Sequence, residues 1–247
     1  MPKYFVHTHD IAGDTITLMG ESAAHLIVVL RARPGERVIV CDGEKTDYDC
    51  EIISITGRDS LKLKILSSAV APEPSTEVTL YQALPKGDKL ELVIQKCVEL
   101  GVTRIVPIIT KNASLDRLSD AKLKRYEKIS EAAAKQSMRG IIPVIAVPFT
   151  FSQAITDSKY LSLTFAPYEY ERHVTLKKFL SANPLEGKKS IGFFIGSEGG
   201  FASEEISQLH NADIPTVSLG KRVLRTETAG LCVLAILMYE LNEMAGN

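Results

Sequence analysis

A chain of 247 residues has room for one large domain, or for a small one joined to a medium one. Its 45% hydrophobic and 24% charged residues are ordinary for a soluble globular protein and supply a buried core without staples; the net charge of −1 gives no sign of a nucleic-acid partner. Cys41, Cys50, Cys97 and Cys232 stand scattered, with no CxxC or Cys/His cluster, so they read as reduced thiols and no disulfide or metal site is expected. The opening MPKYFVHTHD lacks the basic-then-apolar pattern of a signal peptide, and no run approaches 18 apolar residues; a cytoplasmic protein is expected.

The first seventy residues read as mostly β. YFVH, TITLM, RVIVCDG, DYDCEIISIT and SLKLKIL are short, rich in β-branched residues and separated by turn signals at Pro34-Gly35, Asp42-Gly43 and Gly57. Ser22 is placed to cap a short helix through His25 to Leu30. Such a unit predicts a compact barrel. APEPSTE, residues 71–77, has two prolines and no apolar period, and the domain boundary is expected there, giving domains 1–72 and 73–247.

Beyond it the pattern alternates. Val78–Ala83 is a predicted strand; Asp88 can cap a helix with Leu90, Val93, Ile94, Cys97 and Leu100 on one face, ended by Gly101. Strands are expected over Arg104–Ile109, Val144–Val147, Tyr160–Phe165, Ser190–Ile195 and Thr216–Leu219. Ser119 caps a helix carrying Leu123, Tyr126, Ile129 and Ala133, and Thr226 opens an apolar helix to about Met244. Nearly continuous apolar strands alternating with helices predict an α/β fold with a parallel sheet.

From Lys111 to Arg139 eight basic residues face four acidic ones, a pattern that suits either a solvated helix face or a phosphate-contacting patch.

Ligands of open parallel sheets bind beyond the carboxyl ends of the strands. One such end is Gly196-Ser197-Glu198-Gly199-Gly200-Phe201, with Ser203 ready to cap the next helix. Its three glycines suit either a tight left-handed turn or a cradle for a planar ligand. Neither GxxxxGK[ST] nor GxGxxG is present, which argues against a phosphate loop. A second end is Leu219-Gly220-Lys221-Arg222-Val223-Leu224-Arg225-Thr226-Glu227. Thr226 as N-cap and Glu227 in the first turn suit a helix start, but Arg225 is a cation where the helix dipole disfavours one, which points to function. The third, Thr164-Phe165-Ala166-Pro167, is uninformative alone. Glu99-Leu100-Gly101-Val102-Thr103 mimics the motif of Rossmann-type methyltransferases, but it ends a helix and lacks the second glycine.

FFIGSEGGFASEEI paired with SLGKRVLRTETAG resembles the signature of the SPOUT RNA methyltransferases, and most resembles the family of small-subunit methyltransferase E, which forms N3-methyluridine in bacterial 16S ribosomal RNA. HLIVVLRARPGERVIVCDG, KGDKLELVIQKCVELGV and EAAAKQSMRGIIPVI extend the resemblance along nearly the whole chain. It implies a PUA-like, RNA-binding β-barrel followed by a parallel-sheet SPOUT domain whose C-terminal part is tied in a trefoil knot, an exception to the rule against threaded loops. It implies S-adenosyl-L-methionine as cofactor, held by Phe165 and Ala166, by Gly196, Ser197, Glu198, Gly199 and Gly200, and by Leu219, Gly220, Leu224, Arg225, Thr226 and Ala229. The family is dimeric, which makes the C-terminal helix the expected contact between copies.

Three positions depart from the family pattern: Ser197 stands where proline is common, Ala113 in Lys111-Asn112-Ala113-Ser114 replaces an arginine, and Lys3 replaces an arginine, keeping charge without the bidentate fork. N3 of neutral uracil carries a proton, so methylation there needs its loss and stabilisation of the anion. Arg225 is the expected electrostatic catalyst, and Glu198 or Glu227 the expected proton acceptor. Lys3, Arg31, Arg33, Lys122, Arg125 and Arg139 are the candidate contacts to 16S RNA in the small subunit. The rival readings are a SPOUT enzyme acting on another rRNA or tRNA nucleotide, and a non-enzymatic RNA-binding ribosome-assembly factor.

Overall fold

The computed structural model describes residues 3–113 and 117–244, so Ser114 and Asp116 of the basic segment lie outside the described residues. The chain divides into two compact units: residues up to Glu73 with Ala134–Ile142, and Pro74–Ala133 with Pro143 onward.

In the first unit the strands β1 (Lys3–Phe5), β2 (Ile11–Ala12), β3 (Thr15–Met19), β4 (Arg37–Cys41), β5 (Thr46–Thr56) and β6 (Ser60–Val70) form one sheet in the order β1-β4-β5-β6-β3-β2. All pairs are antiparallel except β1 with β4. Among the described residues no pair joins β1 to β2, so the expected barrel is not closed by strand pairing. Alternation drives the fold: Ile16 and Leu18, Val38 and Val40, Leu61 and Leu63 are buried on one face at spacing two. Ala23 and Leu26 complete this core from a helical segment, α1 (Gly20–Ala24) continued by a wide turn over His25–Val29. The helix opens at Gly20, with Met19 as N-cap and no side-chain capping bond, so Ser22 is inside it and does not cap it.

The segment Ala134–Ile142, assigned from sequence to the second domain, belongs to this first unit, and ionic bonds explain why. Arg139 pairs bidentately with Glu73, Nε to Oε1 at 2.8 Å and Nη2 to Oε2 at 2.6 Å, with both side chains buried. Glu73 also accepts from the Gly140 and Ile141 amides, and the Gly140 carbonyl accepts from Cys41 Sγ and the Lys45 amide. A Cβ on Gly140 would lie 2.5 Å from that of Ala71, so only glycine fits. Lys3, also buried, pairs with Asp47 at 2.6 Å and donates to the Met138 carbonyl at 3.1 Å. Lys3 and Arg139 are therefore corrected as RNA contacts: both cations are enclosed and already neutralised by carboxylates. The departure from arginine at position 3 fits this, because a single ammonium satisfies both acceptors.

The second unit is built from β7 (Glu77–Ala83), α2 (Lys89–Glu99), β8 (Arg104–Ile109), α3 (Asp120–Gln136, its last turn counted with the first unit), β9 (Val144–Ile145), β10 (Phe149–Thr150), α4 (Phe151–Ser158), β11 (Leu163–Pro167), α5 (Leu176–Ala182), β12 (Ser190–Ile195), α6 (Ser203–Asn211), β13 (Thr216–Val217) and α7 (Thr226–Glu240). The sheet order is β10-β8-β7-β12-β11-β13, with β9 also on β8, and every pairing is parallel. Alternate residues of its strands serve two helical layers. Tyr81 and Phe194, stacked at 4.4 Å, face Phe151 of α4 and Ile206 of α6. Leu80, Gln82 and Ile195 point the other way and pack around Gly230 of α7. The helices α4 and α5 were not read from the sequence, although each starts at a capping threonine: Thr150 Oγ1 accepts from the Gln153 amide at 3.3 Å, and Thr175 Oγ1 from the Lys178 amide at 3.2 Å.

Candidate functional site

Because β12 lies between β7 and β11, and β13 pairs with β11, the carboxyl ends of β11, β12 and β13 emerge side by side. Their loops line one cleft, part of it open to solvent.

The loop after β12 is a tight turn: the Gly200 amide donates to the Ser197 carbonyl at 3.0 Å, and Gly200 adopts φ +64°. A Cβ on Gly196 would sit 3.1 Å from the Gly200 backbone, so this turn needs its glycines for closure as well as for access. A brace comes from the loop after β8. Ser197 Oγ donates to the Asn112 carbonyl at 2.8 Å, and Asn112 Nδ2 donates to the Gly199 carbonyl at 3.0 Å. The serine in place of proline thus adds a bond that proline lacks.

The loop after β13 is fastened by Thr226. Its hydroxyl donates to the Gly196 carbonyl at 2.6 Å and accepts from Gln82 Nε2 at 2.8 Å, both in buried surroundings. Thr226 is the first residue of α7 and Arg225 is the N-cap, with no side-chain capping bond, so the expected N-cap role of Thr226 is corrected to a clamp between loops. Thr226→Val should cost about 1–3 kcal/mol, the penalty of stranding buried polar partners, measured as a lower denaturation midpoint with unchanged slope. Thr226→Ser should recover most of it.

Of the residues expected around the cofactor, Gly196, Ser197, Glu198 and Gly200 line the cleft from one side. Leu219, Gly220, Leu224, Thr226 and Ala229 line it from the other. Phe165 and Ala166 do not: both are fully buried in β11, and the next residues, Pro167 and Tyr168, take their place at the wall. Gly199 and Arg225 also lie outside the lining, Gly199 against Asn112 and Arg225 exposed at the helix start. Ile195, Leu219, Leu224 and Ala229 give the cleft an apolar wall. Among the described residues the backbone N–H groups of Leu219, Lys221, Arg222, Val223 and Leu224 donate to no protein acceptor. An apolar slot edged by free amides suits a planar heterocycle read by its rim.

Glu198 is committed to the protein. It accepts from Lys89 Nζ at 2.7 Å and from the Lys86 amide at 3.1 Å. Burial acts to raise its pKa, but the hydrogen bonds from Lys89 and from backbone amides, with the Lys89 charge, hold it below the usual carboxylate value. A carboxylate so stabilised is a weak base near neutrality, so the expectation that Glu198 takes a proton gives way to a role in anchoring the loop. Glu227, the other carboxylate considered, lies outside the cleft lining, 4.0 Å from Lys89. Gln82, Lys89 and Asn112 were not singled out from sequence, although Lys89 and Asn112 lie in segments that carry the family resemblance, because each acts through a partner at least 85 positions away.

Of the remaining cations, Arg31, Arg33 and Lys122 are exposed, and Arg125 is exposed but paired with Glu91 at 2.7 Å. Among the described residues no group of three His, Cys, Asp or Glu side chains is placed to hold a metal ion, and no helix is long and apolar enough to cross a membrane.

Comparison with known proteins agrees with this geometry. Residues 72–238 match the RNA methyltransferase domain family, and residues 18–66 the RNA methyltransferase PUA domain, which makes the first unit PUA-like. Ribosomal RNA small subunit methyltransferase E of Bacillus subtilis is 31% identical over 239 residues, covering 94% of this chain and 93% of that protein. The crystal structure of the Neisseria gonorrhoeae enzyme of the same name, bound to S-adenosyl methionine, superposes with a TM-score of 0.84 at 28% identity over 97% of each chain. A Legionella pneumophila methyltransferase in complex with the same cofactor gives 0.83 at 28% identity over 96% of each. The chain is thus a member of the ribosomal RNA small subunit methyltransferase E family of RNA methyltransferases.

Proposed function

We propose that this chain is a cytoplasmic enzyme that methylates N3 of a specific uridine in 16S ribosomal RNA of the small subunit, with S-adenosylmethionine as donor. The observation that carries this reading is the convergence of three strand-end loops on one cleft that joins a glycine turn to an apolar slot rimmed by free amides. That pattern fits the cofactor: Leu219, Leu224 and Ala229 would flank its adenine, and the backbone of the 219–224 loop would read the ring edge. When bound, the cofactor supplies an activated methyl group. Arg225, exposed between the cleft-lining Leu224 and Thr226, would bond the uracil oxygen as N3 loses its proton. In the same reading the loops after β11, β12 and β13 form a trefoil knot, and the chain works as a homodimer. Support for the second point comes from α7, whose flank away from the sheet leaves Leu231, Cys232, Ala235 and Ile236 partly exposed and Tyr239 70% exposed.

The test is mass mapping of methylated nucleotides in 16S RNA from cells lacking this protein, with restoration by the purified chain and S-adenosylmethionine. Loss and recovery of one N3-methyluridine is expected. A modified ribose, a tRNA target, or an unaltered methylation map would reject the reading. For the RNA surface, Arg31→Ala with Arg33→Ala should weaken binding and flatten the dependence of log K on log salt by roughly 0.7–0.9 per lost phosphate contact. An unchanged slope would remove these two arginines from the interface.

A further inference from the structure

Beyond β11 the chain runs through Tyr168, Glu169, Tyr170, Glu171 and Arg172, a charged stretch that no motif covers and that contributes Tyr168, Glu169 and Arg172 to the cleft. We propose that Glu169 is the ligand-pairing carboxylate of this cleft, accepting hydrogen bonds from a hydroxyl pair or a cationic group of bound S-adenosylmethionine. The assignment rests on the cofactor reading above.

Among the described residues two carboxylates, Glu169 and Glu198, line the cleft, and one of them is free to serve a ligand. Glu198 is occupied by Lys89 and the Lys86 amide. Among the described residues the Glu169 carboxylate takes part in no hydrogen bond or ion pair. The nearby cation does not neutralise it: Arg172 Nη1 donates to the main-chain carbonyls of Glu169 at 2.6 Å and Glu171 at 3.1 Å. The neighbouring carboxylate, Glu171, is likewise spent on its own loop, accepting from the His173 and Val174 amides and from the Thr216 hydroxyl. The loop is therefore fixed from both sides, and Glu169 is the acidic group left facing the cleft.

The Glu169 side chain lies close against the glycine turn. The carboxylate lies over Gly200, where an added Cβ would overlap Oε1 and come 3.1 Å from Cδ. The glycine turn and Glu169 thus occupy complementary space, and any side chain at position 200 would displace the acid. Burial, and beside it the charge of Glu169, push the Tyr168 phenol above its ordinary pKa. A half-buried anion without a partner is unfavourable, and a ligand that brings donors to it recovers that cost.

S-adenosylmethionine offers two such donors, the ribose hydroxyls and the α-ammonium; its sulfonium has no hydrogen to donate and attracts a carboxylate by charge alone. Calorimetric titration of the full chain and of Glu169→Gln with S-adenosylmethionine, S-adenosylhomocysteine and adenosine separates them. The variant should bind S-adenosylmethionine about tenfold or more weakly, as loss of a charge-assisted hydrogen bond implies, with an unfolding midpoint equal to that of the parent. Weakening shared by adenosine assigns the ribose hydroxyls, and weakening shared only with S-adenosylhomocysteine assigns the ammonium. Weakening confined to S-adenosylmethionine assigns a charge contact with the sulfonium in place of a hydrogen bond. A variant that binds all three as the parent does overturns the assignment of Glu169 alone. A parent chain that binds none of them overturns the cofactor reading with it.

Discussion

Replacing Arg225 with alanine is expected to lower turnover on the order of 10²–10³-fold, the usual loss on removing one preorganised donor to a developing oxyanion, while the dissociation constant for S-adenosylmethionine changes little. The separation of effects follows from position. Arg225 is the N-cap of α7, exposed, and outside the cleft lining, whereas the residues on either side of it, Leu224 and Thr226, belong to that lining. Its backbone is fixed by the cleft while its guanidinium is free to meet a second ligand. A helix N-terminus disfavours a cation by a few tenths of a kcal/mol, so removal should not destabilise the fold and should raise the midpoint slightly if anything. Arg225→Lys keeps the charge but not the planar fork, and should recover only part of the rate. Turnover by the alanine variant equal to the parent's would reject the role; a matching loss in cofactor binding would move Arg225 into the cofactor site instead.

Arg139→Ala should cost about 3–5 kcal/mol of stability, because among the described residues it leaves the buried Glu73 carboxylate with two amides as partners. The first unit would lose the tie that holds Ala134–Ile142 to its sheet. Denaturant unfolding followed by hydrogen exchange should show the loss concentrated in the first unit. The double variant Arg139→Met with Glu73→Leu should recover a substantial part, since replacing both charges removes the desolvation cost along with the attraction. If the single variant unfolds within 1 kcal/mol of the parent, roughly the weight of an exposed pair, the bond is not the anchor described here.

Legibility tracked the range of the interactions involved. The strands over Arg104–Ile109 and Ser190–Ile195 and the helix after Asp88 were readable because apolar period and turn residues act within a few positions. Phe165 and Ala166, expected to hold the cofactor, are buried outside the cleft lining, because the point where β11 leaves the core depends on its pairing with β13, fifty positions on. The charge on Lys3 and Arg139 was plain in the sequence, but its availability was not, since Asp47 and Glu73, which neutralise them, are brought in by strand register and by the returning segment. Gln82 carried no signal at all, because its importance consists of meeting Thr226, 144 residues away.

By itself the sequence determined the alternation of a β unit with a parallel α/β unit, the family, and the two glycine-bearing loops, because each is written in local spacing and in contiguous motifs. Only the tertiary structure decided which cations are spent in buried pairs, which carboxylate is tied to Lys89, and which, at Glu169, is left facing the cleft. Those outcomes depend on groups far apart in the chain competing for the same partner at contact distance, and one-dimensional spacing carries no record of that competition.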